Sequence, residues 1–66
     1  MKFKYYVLNQ GMKVVSGSNT VEGAKRSAIA KSKKYVNIKF GVFQASTNTL
    51  VKAYQNGNQV FYFGQD

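Results

Sequence analysis

With 66 residues, no cysteine, no histidine and only two acidic side chains, this chain has few of the groups that enzymes and metal sites use. Without histidine it lacks the commonest general base and metal ligand, and without cysteine it has neither thiolate chemistry nor disulfides. Two acidic side chains are too few for an oxygen-ligand metal cage. We therefore expect a single domain, residues 1–66, with no enzymatic activity, no cofactor and no metal.

The charge balance is strongly basic, because ten lysine and arginine residues face two acids and give a net charge of +8. A chain with this charge is expected to attract polyanions, although high charge also simply keeps a small aromatic-rich protein soluble. No apolar run has the length of a signal peptide or a membrane span, so we expect a cytoplasmic protein without membrane association. The small, lysine-heavy, asparagine-rich composition suits an accessory protein of a bacterium or phage.

The chain begins with a predicted hairpin. Residues 2–8 and 12–16 are rich in apolar and aromatic residues and flank the short connection Asn9-Gln10-Gly11. Such a connection joins two antiparallel strands, and Gly11 would supply a positive φ there.

One helix is predicted next, near residues 20–35. Asn19 followed by Glu22 has the pattern of a capping box, and lysines near the other end complement the helix dipole. At 100° per residue, small and apolar side chains fall on one narrow stripe, which consists of Val21, Ala24, Ala28, Ser32 and Tyr35.

Three further strands follow the helix. Residues 36–45 alternate between apolar and other side chains, and residues 50–55 and 59–63 flank Asn56-Gly57, the strongest short hairpin signal in the chain. The order ββαβββ predicts an α+β domain in which an antiparallel sheet has one helix packed on one face. The alternative is a partly open β-barrel with the helix as a plug.

Alternation along the strands also predicts two different sheet faces. The face under the helix would form a core that includes Phe3, Tyr5, Val7, Val14, Val21, Ala28, Ile38, Phe40, Val42 and Val51. The opposite face would carry the strand lysines beside aromatic rings, namely Lys4, Tyr6, Lys13, Lys39, Phe43, Lys52 and Tyr54.

A face of this kind favours nucleic acid, because lysines attract phosphates and aromatic rings stack on bases, and it favours single strands in particular. The ordinary alternative is a solvated sheet face, where lysine and tyrosine are common.

A second basic surface is predicted on the helix, where it could contact a duplex backbone or be only a solvated face. It consists of Lys25, Arg26, Lys33 and Lys34. One arginine in the chain argues against detailed base readout, so low sequence specificity is expected.

The rival hypothesis is a protein-interaction module or inhibitor whose aromatic face docks an acidic protein or a second copy of the chain. Aromatic residues are enriched at protein interfaces, and they make up 15% of this short chain. The positions of Tyr6, Phe43 and Tyr54 separate the hypotheses. Rings interleaved with exposed lysines favour nucleic acid, and rings clustered without lysines favour a protein partner.

Overall fold

The computed structural model describes residues 2–63 and has the predicted α+β fold. Within these residues the elements are β1 (Tyr5–Asn9), β2 (Val14–Ser18), α1 (Val21–Lys34), β3 (Phe40–Gln44), β4 (Thr49–Gln55) and β5 (Asn58–Val60). All strand pairs are antiparallel and the sheet order is β2-β1-β3-β4-β5. Since β2 and β5 lie at opposite edges, the sheet is open and the barrel alternative is wrong. No helix among residues 2–63 is long and apolar enough to span a membrane.

Several strands are shorter than predicted. The first begins at Tyr5, the third begins at Phe40 and the last ends at Val60. The segment before the third strand forms a loop in which Asn37 has a φ of 63°. The Asn37 N–H donates to Asn56 Oδ1 at 2.8 Å, so the loop is fixed against the β4–β5 turn and cannot continue the sheet ladder.

The helix is capped by Thr20, whereas the sequence pattern predicted Asn19. The Thr20 hydroxyl accepts a hydrogen bond from the Gly23 N–H at 3.1 Å, which satisfies one of the free donors of the first turn. Asn19 has another role, because its Oδ1 accepts from the Lys4 N–H at 3.3 Å and thereby holds the start of the chain beside the helix.

The two hairpin turns differ. Asn56 and Gly57 have φ values of 56° and 83°, as expected for the predicted two-residue turn with positive φ at both central positions. In the first hairpin, Met12 adopts the positive φ of 66°, and not Gly11 as predicted. The Asn9 side chain stabilises this turn by accepting from the N–H groups of Gly11 and Lys13 at 2.9 and 3.0 Å.

The core lies between α1 and one face of the sheet. Val7 and Val42 are cross-strand partners and are both fully buried. The helix contributes small side chains, as predicted, which allow it to approach the sheet closely. The buried cluster consists of Val7, Ala24, Ala28, Phe40, Val42 and Tyr54.

Four residues that the sequence pattern assigned to the core are exposed, namely Phe3, Val14, Ile38 and Val51. Phe3 and Ile38 lie outside the strands, because β1 and β3 begin later than predicted. Val14 and Val51 lie at two shifts in register, one between Val7 and Leu8 of β1 and one between Val42 and Phe43 of β3. Each shift adds one residue to the partner strand, and one added residue reverses the faces of the side chains beyond it.

Candidate functional site

The sheet has a helix side, which α1 covers, and an open side, which faces away from α1. On the open side, Tyr6 of β1 and Phe43 of β3 are directly opposite each other. This cross-strand pair therefore lies where the sequence predicted it. Its neighbours on the same side are small or apolar, and they include Leu8, Gly17, Gly41 and Leu50.

Both ends of the described chain fold over this aromatic pair. In the N-terminal arm, residues 2–4, the Phe3 ring lies 5.9 Å from the Tyr6 ring in an edge arrangement. In the C-terminal arm, residues 61–63, the Phe63 ring lies 5.6 Å from the Phe43 ring in a similar arrangement. The Tyr6 hydroxyl also accepts from the N–H groups of Lys2 and Phe3, each at 2.9 Å. The sequence analysis did not assign Phe3 and Phe63 to this surface.

Two glycines on the open side provide the space for these rings. A Cβ at Gly17 would lie 2.5 Å from Phe3 Cδ2, and a Cβ at Gly41 would lie 3.2 Å from Phe63 Cγ. Any larger residue would displace the rings. Glycine inside a strand is therefore the sequence signal that could have located the two arms, because an aromatic side chain from elsewhere in the chain can pack over it.

Lys39 is one of the predicted strand lysines, and the C-terminal arm covers it. It is only 5% exposed. Its ammonium group lies 4.2 Å from the centre of the Tyr62 ring, a cation–π distance, and Tyr62 itself is 55% exposed. Lys39 is thus positioned by an aromatic ring from the same arm that covers Phe43.

The remaining members of the predicted contact surface do not share the open side. Tyr54 is 6% exposed and lies in the core opposite Phe40, and Lys52 pairs with buried Val42 on the helix side. The reason is the extra residue in β4, which reverses the expected faces. Lys4 and Lys13 are exposed but lie outside the strands, before β1 and before β2 respectively. The structure therefore brings Tyr6 and Phe43 together, places Lys39 under the same arm that covers Phe43, and separates Lys52 and Tyr54 from them.

The basic helix layer, which we define as the cations of α1 together with Lys52, holds most of the positive charge. Six of the ten cations belong to it, namely Lys25, Arg26, Lys31, Lys33, Lys34 and Lys52. Glu22 is the only acid within residues 2–63, so the layer carries six positive charges and one negative charge. Arg26, Lys33 and Lys34 are exposed, and Lys25 is half-buried.

A groove of about 200 Å³ lies where the end of α1 meets the sheet. Its lining is mainly apolar, and three of its side chains, Val15, Tyr35 and Ile38, are substantially exposed. Lys31 contributes the positive charge of the lining, and the Lys34 ammonium lies 5.4 Å from the Tyr35 ring centre beside it. The groove is thus an apolar surface next to cations.

Comparisons of the chain with protein-family models, with curated proteins and with solved structures give no significant match. The function is therefore inferred from the side chains and their surroundings.

Proposed function

We propose that this protein binds nucleic acid through the basic helix layer, by contacts to phosphates with little dependence on base sequence. The observation that carries the proposal is the concentration of six cations and one acid on one layer of a small domain. Cations that neutralise phosphates release condensed counterions, and this term supplies most of the affinity of nonspecific binding.

The spacing of the exposed cations supports a backbone contact. Arg26 and Lys33 are seven residues apart on α1 and both are exposed, so about 10 Å separates them along the helix axis. Lys25 and Lys34 flank this pair. A row of charges on a rigid helix can contact successive phosphates of a duplex without any unstacked base. Because lysine acts mainly as a point charge on phosphate, such contacts carry little sequence information.

The test compares two triple variants of equal charge. Arg26, Lys33 and Lys34 are changed to Gln in one variant, and Lys2, Lys4 and Lys13 are changed to Gln in the other; all six residues are exposed. Gln has nearly the helix propensity of Lys and Arg, so α1 is preserved. Binding to a fluorescent duplex and to a single strand of the same length is measured across a salt series.

We expect the helix variant to lower the salt slope of duplex binding by about 0.9 for each phosphate that it no longer neutralises, and the control variant to leave the slope nearly unchanged. Equal decreases in both variants would mean that net charge alone attracts the duplex, and the helix layer would have no special role. A larger decrease of the salt slope in the control variant would mean that the lysines outside the helix make the phosphate contacts. No binding at about 50 mM salt, where backbone attraction is strong, would end the nucleic-acid proposal.

A protein-interaction module that docks an acidic partner is the second candidate. The apolar groove of Val15, Tyr35 and Ile38 favours it, because exposed apolar side chains beside cations suit an acidic segment with an apolar anchor. In the same experiment, absence of nucleic-acid binding together with binding of an acidic peptide that Ile38→Asp abolishes would support this candidate. Light scattering on the free protein would detect self-association, which mutual repulsion at a net charge of +8 opposes.

A further inference from the structure

We infer that the open side carries a second site, which binds bases of a single-stranded nucleic acid and which the N-terminal and C-terminal arms cover in this structure. The site consists of Tyr6, Phe43 and Lys39. It is separate from the basic helix layer, because α1 covers the opposite face of the sheet.

Aromatic rings of the two arms lie against all three residues. Each has an aromatic ring from a chain end against it: Phe3 at 5.9 Å from Tyr6, Phe63 at 5.6 Å from Phe43, and Tyr62 at 4.2 Å from the Lys39 ammonium. The two ring pairs meet edge to face, at interplanar angles of 74° and 71°, and a base that replaced Phe3 or Phe63 could instead stack on the faces of Tyr6 and Phe43. The arms thus occupy a surface that accepts planar rings.

Two of the three residues of the C-terminal arm are exposed. Residues 61–63 follow the last strand, and Phe61 is 90% exposed while Tyr62 is 55% exposed. A short segment that lies outside the sheet and exposes much of its side-chain surface opens at a lower free-energy cost than a paired strand. The partner residues, by contrast, are anchored, because Tyr6 and Phe43 belong to the two central strands β1 and β3. Opening the C-terminal arm would therefore uncover Phe43 and Lys39 without disturbing the sheet, while Phe3 of the N-terminal arm would stay against Tyr6.

The side chains of the open side indicate the class of ligand. The open side presents two aromatic rings of neighbouring strands, and the Lys39 ammonium group lies under the same arm that covers one of them, Phe43. Rings and a cation on one surface match the two chemical parts of a nucleotide, because the rings accept the base by stacking and the cation attracts the phosphate. This combination fits a single strand with unstacked bases better than an apolar protein surface.

The experiment uses full-length variants and a fluorescent oligothymidine single strand, with a duplex of equal length for comparison. The double variant Tyr62→Ala and Phe63→Ala removes the two covering rings of the C-terminal arm. Phe61→Ala is the matched control, because Phe61 lies in the same arm and is almost fully exposed. Circular dichroism and thermal melting establish that each variant is folded.

We expect the double variant to bind the single strand about tenfold more tightly, which is the gain when a site that is closed about nine-tenths of the time becomes open. Phe61→Ala should bind as wild type does. Adding Phe43→Ala to the double variant should abolish the gain, and adding Lys39→Gln, a milder change if Phe43→Ala impairs folding, should reduce it. Duplex binding should be unaffected by the arm variants and weakened by the helix triple variant, so the two proposals fail or hold separately.

Unchanged or weaker single-strand binding by the double variant would overturn the inference, because the arm would then be part of the fold or of the binding surface and not a cover. An equal gain from Phe61→Ala would also overturn it, as would a gain that survives both Phe43→Ala and Lys39→Gln. Dimerisation of the double variant without tighter single-strand binding would overturn it as well, since the uncovered face would then prefer another protein surface.

Discussion

The two sides of the sheet are covered by different kinds of structure. A regular 14-residue helix covers the helix side, where Val7 and Val42 are fully buried. Short chain ends cover the open side, where Tyr6, Phe43 and Phe63 are only half-buried. A helix retains its own backbone hydrogen bonds while it packs, whereas a short arm depends on a few ring contacts. The helix side is therefore expected to provide the stability of the domain, and the open side to provide a surface that can change.

The largest effect should come from the centre of the helix side. Phe40 is 3% exposed, and Phe40→Ala should lower the free energy of unfolding by about 3–5 kcal/mol, which is a large part of the stability of a domain this small. Urea denaturation followed by circular dichroism measures the change. Phe61→Ala removes the same ring from a position that is 90% exposed and should have almost no effect. A Phe40→Ala protein that melts within a few degrees of wild type would contradict the central position of β3.

The next residue in the chain tests the opposite side. A Cβ at Gly41 would lie 3.0 Å from Leu50 Cδ1, 3.1 Å from Phe43 Cε1 and 3.2 Å from Phe63 Cγ. Gly41→Ala should therefore cost about 1–3 kcal/mol by crowding three side chains. Chemical denaturation measures the cost, and Gly11→Ala is the control, because a Cβ there would meet only Asn9 Oδ1, at 3.4 Å. Equal stabilities of the two variants would show that the open side is not packed at Gly41.

A smaller effect should come from the polar contact between the helix and the β4–β5 turn. The fully buried Ser32 hydroxyl donates to the Ile29 carbonyl oxygen at 2.8 Å and accepts from the Gly57 N–H at 2.9 Å. Ser32→Ala should cost about 1–2 kcal/mol, because the Gly57 N–H would have no acceptor in its place. Thermal melting measures this change, and Ser46→Ala, in the exposed β3–β4 turn, should be nearly neutral. A neutral Ser32→Ala would mean that water replaces the hydroxyl at the turn.

The smallest effect should come from the C-terminal arm. Phe63 is half-buried, so Phe63→Ala should cost about 1 kcal/mol, well below the cost at Phe40. Hydrogen exchange should show faster exchange of the backbone amides around residue 63 and unchanged protection of the amides in α1. If Phe63→Ala were as destabilising as Phe40→Ala, the two sides of the sheet would be equally firm, and a movable cover would be excluded.

Much of the fold could be predicted because it depends on local preferences. The Asn56-Gly57 turn needs positive φ at both residues, and few dipeptides adopt it so readily. The helix was predicted near its true bounds, Val21–Lys34, because its polar cap, acidic first turn and basic last turn are all local signals. The predicted cap, Asn19, was wrong, and Thr20 caps the helix. Both side chains are suited to capping, and the contact of Asn19 with Lys4, which engages the Asn19 side chain, exists only in the folded chain.

The candidate site was predicted only in part. Tyr6 and Phe43 do lie opposite each other on the open side, since alternation within regular stretches of β1 and β3 is enough to place them. Lys52 and Tyr54 were assigned to the wrong side, because one extra residue in β4 reverses the alternation and leaves no mark in the sequence pattern.

The sequence by itself therefore determined the helix, the number of strands and the strong positive charge, which follow from local backbone preference and composition. The tertiary structure alone decided the strand registers, the separation of most cations from the aromatic pair and the folding of the chain ends over Gly17 and Gly41. The physical reason is that these features depend on contacts between residues distant in the chain, which no local pattern records.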